Sequence, residues 1–363
     1  MQFGRTNELA LSFNNFLFVL NNLFTNRKTQ KSQHKVQSNR ASMEDVRQYY
    51  MEYVEAQGIS QYFRNYCTVT SVHKVLDVCH TVDDESGEQV PCNRDHSNKL
   101  KWEVCGYETS FPNGAEGAPE ITEFCYRAPN VVLATGTFDS PNLLHIPGEH
   151  FAYVRHSYTE LEADIESGVI TSHSDPLVVI GAGLSAADAI LMALGNKIPV
   201  VHLFRRDPYD NNIVLKKLPE AVYPEYKQVY RMMCGELLAD GYQAYPMHSA
   251  AEFLADGQIV IRPNKDTTSC DTIIKTSQVL VLIGSQPDLS FLSKNGTLLG
   301  TVPELPIDSK NNPLSVDMLS YQSVHECGLY AMGPLIGDNF VRFLRGGALG
   351  IAADLWRKRE GKL

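Results

Sequence analysis

The 363-residue chain contains one stretch whose residue types and spacing describe a phosphate cradle. Val178, Val179 and Ile180 run into Gly181-Ala182-Gly183-Leu184-Ser185-Ala186, and an alanine- and leucine-rich segment continues to Leu194. Gly181 permits a tight turn, Gly183 leaves room for a pyrophosphate to approach the backbone, and Ala186 lets helix and strand pack closely. The first N–H groups of such a helix have no partner within it, so they face the phosphates with the helix dipole behind them. Strand, glycines, helix and a second apolar strand from Val200 to Phe204 fall in the order of a dinucleotide-binding unit. A structural strand–turn–helix without a ligand would need only part of that pattern, so nucleotide binding is the reading adopted. Its expected contacts are Gly181, Gly183, Ser185 and Ala186.

The end of the second strand selects the nucleotide. An NAD site puts an acid there for the ribose 2′-hydroxyl, whereas arginine accommodates a 2′-phosphate. Phe204 is followed by Arg205 and Arg206, and Asp207 comes one or two positions later than such an acid would. Guanidinium groups form paired, charge-assisted bonds with phosphate. NADPH is therefore the expected cofactor; two solvated arginines are the alternative. Two further motifs say less by themselves. Val131-Val132-Leu133-Ala134-Thr135-Gly136 is an apolar strand ending in a small-residue turn. Gly337-Asp338-Asn339 precedes a glycine-containing helix, and read locally Asp338 is best taken as its cap.

The elements that must position these residues are visible in the hydrophobic pattern. Val46, Tyr49, Tyr50, Tyr53 and Val54 repeat at helical spacing after Ser42-x-x-Asp45, and Gly58 supplies a stop. Val69–Val78, then Leu100, Trp102 and Val104, then Phe124–Tyr126 and Asn130–Ala134, read as short strands with polar connections, an antiparallel meander. After Pro147-Gly148 the rhythm becomes strand, helix, strand, with runs apolar on both faces at Leu177–Ile180, Val200–Phe204, Gln278–Ile283 and Leu329–Met332. Leu215–Met233 reads as helix broken at Pro224.

Composition narrows the function classes. A net charge of −10 argues against a general nucleic-acid or anionic-membrane surface. Leu9–Phe24 is interrupted by four asparagines and is too short to span a bilayer. It lacks the basic start and the cleavage site of a signal peptide, and Thr25–Arg40 is polar, basic and without periodicity. A cytoplasmic protein is expected, with an interfacial helix or a mitochondrial presequence as the lesser alternative. None of the eight cysteines forms a Cys-x-x-Cys pair or sits at zinc-ligand spacing from a histidine. They are expected to be reduced thiols that act as small hydrophobes, and a dithiol reductase is disfavoured.

Taken together, the motifs resemble flavin-containing monooxygenase-like enzymes. Ala134-Thr135-Gly136, Gly181-x-Gly183-x-Ser185-Ala186-Ala187-Asp188, Ile283-Gly284-Ser285-x-Pro287 and Gly337-Asp338 follow the order of that superfamily. Leu218-Pro219, Tyr223-Pro224-Glu225-Tyr226, Met232-Met233-Cys234 and the run Gly333–Phe343 are similar to the oxidative stress-induced growth inhibitor branch. The resemblance covers roughly Arg40 to the C-terminus. It implies an α/β flavoprotein with two dinucleotide-binding domains, FAD and NADPH as cofactors, and an Ala-Thr-Gly turn joining the domains. It also brings Ala134, Thr135, Gly136, Gly284, Ser285, Gly337 and Asp338 into the cofactor sites, with Asp338 toward the FAD ribityl or pyrophosphate. The implied chemistry is NADPH reducing FAD, and reduced flavin activating oxygen to oxidise a soft substrate atom.

The chain departs from that pattern twice. No FAD-type glycine fingerprint precedes Ser42, so FAD binding by this chain is in doubt. The Phe-x-Gly-x-x-x-His signature is not met: His156 fits its last position, but His150 and Ala152 stand at the first two. His156 is either a contact on the nicotinamide side or a structural histidine, and no catalytic residue is assigned. The expected organisation is a disordered segment 1–41, a partial FAD-type domain with its meander at 42–150, an NADPH-binding Rossmann domain with an insertion at 151–317, and a return to the FAD-type domain at 318–363. The expected function is FAD- and NADPH-dependent, monooxygenase-like oxidation in a growth-regulating family. The alternative is a non-catalytic regulatory protein that senses NADPH; substrate, partners and oligomeric state are left open.

Overall fold

A computed structural model describes residues 43–76, 80–82, 89–91, 100–111, 119–264 and 270–361. The expectations for residues 1–42 lie outside that set. The chain forms two compact units, one spanning Ser140–Gln286 and the other built from residues on either side of it. The return to the flanking unit thus starts at Pro287, earlier than the expected 318. The reason is packing. Leu289, Phe291, Leu292, Leu299, Ile307 and Leu314 share one apolar core with Val69, Val72, Trp102 and Val104, and the Val72 N–H donates to the Phe291 carbonyl at 2.8 Å.

The flanking unit opens with helix α1 (Met43–Ala56), and Gly58 follows it with φ +62°. Strand β1 (Cys67–Leu76) comes next, then the short antiparallel pair β2 (His80–Val82) and β3 (Gln89–Pro91). Strands β4 (Leu100–Ser110) and β5 (Glu120–Ala128) complete a three-stranded antiparallel sheet in the order β1-β4-β5. Trp102 and Val104 point into the core and Glu103 and Cys105 away from it, the period-two pattern of a half-buried strand. The meander accounts for three of the four expected strands. The fourth, β6 (Val131–Leu133), leaves the meander and pairs in parallel with a strand near the C-terminus.

The Ser140–Gln286 unit begins at β7 (Ser140–Pro141), followed by β8 (Val154–Arg155), α2 (Tyr158–Glu166), β9 (Leu177–Ile180), α3 (Leu184–Gly195) and β10 (Val200–Phe204). After a helical turn, α4 (Val214–Lys217), α5 (Pro224–Met233) starts with Pro224, where a missing N–H is harmless. Strand β11 (Tyr242–Pro246) leads into β12 (His248–Leu254), β13 (Gln258–Pro263) and β14 (Thr272–Lys275), and then β15 (Gln278–Val281) and β16 (Ser285–Gln286). The central sheet is all parallel in the order β11-β10-β9-β15-β8. Leu177, Val179, Val200 and Phe204 pack on the helices of one face, and Val178, Ile180, Val201 and Leu203 on Phe253, Ile259 and Ile261 of β12 and β13. Both faces are covered, hence the unbroken apolar runs.

The chain ends with β17 (Leu329–Ala331), which pairs with β6, and α6 (Val341–Arg359). The Tyr330 hydroxyl, fully buried, donates to Asp354 at 2.7 Å and accepts from Lys358 at 2.7 Å, while Lys358 and Asp354 pair at 2.9 Å. Burial opposes ionisation of both acids. It pushes Tyr330 up to about 12, but Lys358 and Tyr330 together hold Asp354 below the usual carboxylate range. This triad ties α6 to β17. Tyr330→Phe should lower stability by about 1–2 kcal/mol, the value of one buried bond plus the groups it leaves unpaired. An unchanged denaturant midpoint with an unchanged slope would show that the triad carries no stability.

Candidate functional site

Gly181 sits where β9 ends, beside the ends of β10 and β15. Its φ is +133°, and a Cβ there would overlap the Leu282 carbonyl oxygen, so only glycine fits. The turn is held from both sides: the Gly181 N–H donates to Leu203 at 3.0 Å and the Leu282 N–H donates to Ile180 at 2.8 Å. Gly183 differs. Its backbone is extended, and a Cβ would meet nothing within 4 Å. The two glycines therefore divide the work, one for the fold and one for open space over the start of α3. Gly183 caps that helix without a side-chain bond, and no acid occupies the first turn. Ser185 is exposed on this turn, whereas Ala186 is buried against the sheet.

Beneath the turn lies a residue the sequence reading passed over. His202, in the middle of β10, is fully buried. Its Nε2 lies 2.6 Å from the Gly181 carbonyl and its Nδ1 2.8 Å from the Tyr242 hydroxyl. A carbonyl only accepts, so Nε2 carries the proton and Nδ1 accepts from Tyr242. Burial drives the His202 pKa down to about 4 against a smaller opposing effect of the Gly181 carbonyl, and burial likewise raises Tyr242. A polar residue in the run Val200–Phe204 was the available signal.

Arg205 and Arg206 follow directly on β10, both exposed, at the same edge of the sheet as the glycine turn. Arg206 reaches Asp210 at 3.2 Å, an exposed pair of small energetic weight, and the Arg205 carbonyl accepts from Asn264 at 3.0 Å. Asp207 is engaged locally, its side chain accepting the Tyr209 N–H at 2.9 Å, as in an Asx turn. Gly284 and Ser285 lie just past β15, where the Asn142 N–H donates to Gly284 at 3.0 Å and Ser285 pairs with Pro141. Asp188 accepts from Tyr226 at 3.2 Å and joins α3 to α5.

The other motifs meet in the flanking unit. Ala134, Thr135 and Gly136 follow β6, and Gly337 and Asp338 follow β17, its parallel partner, so both motifs leave the same end of one strand pair. The Met332 N–H donates to Leu133 at 3.0 Å and fixes the register there. The Thr135 hydroxyl is buried with no hydrogen-bond partner, and burial raises the Asp338 carboxyl above its ordinary range. Asp338 does not cap α6, whose N-cap is Phe340 without a side-chain bond. An orphaned hydroxyl beside a left-handed Gly136 (φ +75°) fits a polar ligand. His156, by contrast, is committed to structure. It bonds Glu149 at 3.1 Å, and that carboxylate also accepts the Leu144 and His145 N–H groups at 2.8 and 2.7 Å.

The cysteines depart from expectation. Cys105 and Cys125, directly opposed on β4 and β5, are joined as a disulfide; Cys67, Cys234, Cys270 and Cys327 are free. The register of the sheet, not a local motif, brings the pair together.

Residues 120–309 match the family described as pyridine nucleotide-disulphide oxidoreductase. The chain belongs to that family. Similar proteins bear out the oxidative stress-induced growth inhibitor resemblance read from the motifs. Oxidative stress-induced growth inhibitor 1 of Homo sapiens is 42% identical over 92% of this chain, and oxidative stress-induced growth inhibitor 2 of Homo sapiens is 39% identical over 90%. The chain spans 66% and 65% of their lengths. Among solved structures, bacillithiol disulfide reductase from Bacillus cereus shares the fold with a TM-score of 0.58 and 20% identity, over 91% of this chain and 82% of that one. The family is one of flavin- and nicotinamide-dependent oxidoreductases, so the fold expected from the sequence stands. No described helix is long and apolar enough to cross a membrane.

His202 makes the glycine turn sensitive to acid. Its folded pKa of about 4 lies below the unfolded 6.5, so the folded state binds fewer protons in that window. Its contribution is fully present above pH 6.5 and is lost as pH falls toward 4, a change of about 3 kcal/mol at most. Relative to His202→Gln, whose amide does not titrate, the wild type should lose its stability advantage between those pH values. Parallel pH profiles for the two proteins would contradict this.

Proposed function

We propose that this chain binds NADPH through the Gly181–Ala186 turn and Arg205-Arg206, and belongs to an FAD-dependent, monooxygenase-like oxidoreductase of a growth-regulating branch. The observation that carries the reading is the open backbone at Gly183, above a helix start with no side-chain cap, on a turn pinned from below by His202. The residues fit a dinucleotide: N–H groups of α3 hold the pyrophosphate, and Arg205 and Arg206 meet the 2′-phosphate after Arg206 gives up its exposed pair with Asp210. Gly284 and Ser285 border the same edge of the sheet. In the flanking unit, Thr135 and Asp338 offer a hydroxyl and a partly desolvated carboxyl to the ribityl or pyrophosphate region of FAD. When bound, nicotinamide supplies hydride, and flavin supplies a two-electron acceptor that can hand electrons to oxygen. The protein's part is to orient these groups and exclude water.

One observation favours a second reading. His156, the one match to the monooxygenase signature, is already held by Glu149, so a non-catalytic, NADPH-sensing role fits this chain as well. The readings part on turnover. With FAD added, the purified protein should oxidise NADPH if it is an enzyme and bind it without consumption if it is a sensor.

Two substitutions test the nucleotide site in either case. Gly183→Val should abolish NADPH and NADH binding while the protein stays cooperatively folded, because the added side chain enters open space. Replacing Arg205 and Arg206 together with Ala should weaken NADPH by about 1–3 kcal/mol and leave NADH nearly unchanged. Calorimetric titration reads both; retained affinity in the valine variant, or equal losses for the two nucleotides in the arginine variant, would overturn the assignment.

A further inference from the structure

On the outer face of the β1-β4-β5 sheet, the structure brings together a set of groups that the nucleotide chemistry does not use. Ser71 stands opposite Cys105, and Cys105 opposite Cys125; His73 stands opposite Glu103, and Glu103 opposite Arg127. All six project from the face opposite Val72, Trp102 and Val104, which are in the core. One ligand atom each from Glu103, Cys105 and Cys125 lies within 4.8 Å of the others. His73 stands at the edge of that group, outside the 4.8 Å set, with its Nε2 3.5 Å from a Glu103 oxygen. We propose that Cys105, Cys125, Glu103 and His73 form a zinc site that assembles when the Cys105–Cys125 disulfide is reduced and dissolves when it re-forms.

The donor set is what zinc takes in a closed site: two thiolates, one carboxylate oxygen and one imidazole nitrogen, four ligands in all. The groups around it are arranged as outer partners. His73 Nδ1 is bonded to Ser71 Oγ at 3.0 Å, which leaves Nε2 to face the metal. Arg127 Nε holds the second Glu103 oxygen at 2.6 Å, which orients the first. Charges balance, because two thiolates and one carboxylate are matched by a divalent cation and the Arg127 guanidinium. Spacing along the chain conceals the site, since its ligands come from three strands and only register unites them.

The exchange is complete in atoms and electrons. An external dithiol reduces the disulfide by thiol–disulfide exchange: it leaves as its own disulfide, and its two protons and two electrons pass to Cys105 and Cys125. Zinc then binds both sulfurs and displaces two protons to solvent. In the reverse direction a peroxide takes two electrons from the two thiolates; with two protons it leaves as two waters, the S–S bond forms, and zinc departs. Access supports this exchange, because Cys125 is exposed and Cys105 half-buried.

The test uses the whole chain, treated either with a water-soluble phosphine reductant or with hydrogen peroxide followed by desalting. Zinc is added to each form, excess is removed, and bound metal is measured. Cobalt(II) serves as a second probe, since tetrahedral thiolate coordination gives sulfur-to-metal charge-transfer bands. One equivalent of zinc in the reduced form and none in the oxidised form is expected, with release of that zinc on peroxide addition. Cys105→Ser with Cys125→Ser should abolish binding, His73→Ala should weaken it by about tenfold or more, and Cys327→Ser, which alters an exposed cysteine outside the cluster, should leave it intact. His73 is partly exposed, so its variant tests ligation without relying on the disulfide for folding. No zinc in the reduced wild type, equal zinc in both redox forms, or unchanged affinity in His73→Ala would overturn the proposal.

Discussion

The Leu282 carbonyl oxygen occupies the space that a side chain on residue 181 would need, and much of the Ser140–Gln286 unit is organised around that crowding. Parallel strands β9 and β15 run close enough for Leu282 to donate back to Ile180, so the chain at Gly181 has to turn without a side chain. The turned carbonyl then points into the sheet. It would be an unsatisfied buried acceptor but for His202, whose imidazole in turn depends on the Tyr242 hydroxyl. One close approach between backbones thus accounts for a glycine, a buried neutral histidine and a partly buried tyrosine on three different strands.

Much of this unit could be read along the chain because its determinants are local. Leu177–Ile180 and Val200–Phe204 are apolar at every position but one, as strands covered on both faces must be, and the glycines between them are contiguous. The sheet of β12, β13 and β14 was less visible for a physical reason. A bulge between Ala250 and Glu252 breaks the alternation of β12, and β14 is largely exposed. Strand β6 was recognised as a strand but assigned to the meander, since its apolar run carries no information about a parallel partner some two hundred residues away.

The same distinction separates the candidate site residues. Gly183 and Arg205-Arg206, the proposed phosphate contacts, are legible from spacing, because phosphate recognition is built from consecutive backbone and side-chain groups. The Cys105–Cys125 pair was missed because opposition across two strands depends on register, and a slip of one residue would send the two sulfurs to opposite faces. Asp338, taken locally as a helix cap, is instead a partly desolvated carboxyl just past the helical turn Gly333–Ile336 that follows β17. Only the pairing of β17 with β6 puts it at the same strand end as Thr135.

The Ser140–Gln286 unit interrupts the other in sequence, yet its first and last residues are hydrogen-bonded neighbours through β7 and β16. Just outside them, the Asp139 carboxylate accepts the Asp288 N–H at 2.9 Å. To the polymer that must close around it, a folded insertion with touching ends is a connection of only a few residues. An unfolded one is a loop of about 150, and the logarithmic cost of closing a loop makes the difference about 3 kcal/mol. Once the inserted unit has folded, the two halves of its host therefore search for each other as near neighbours in the chain. The order in which the units acquire structure is biased by topology alone, toward the inserted unit first.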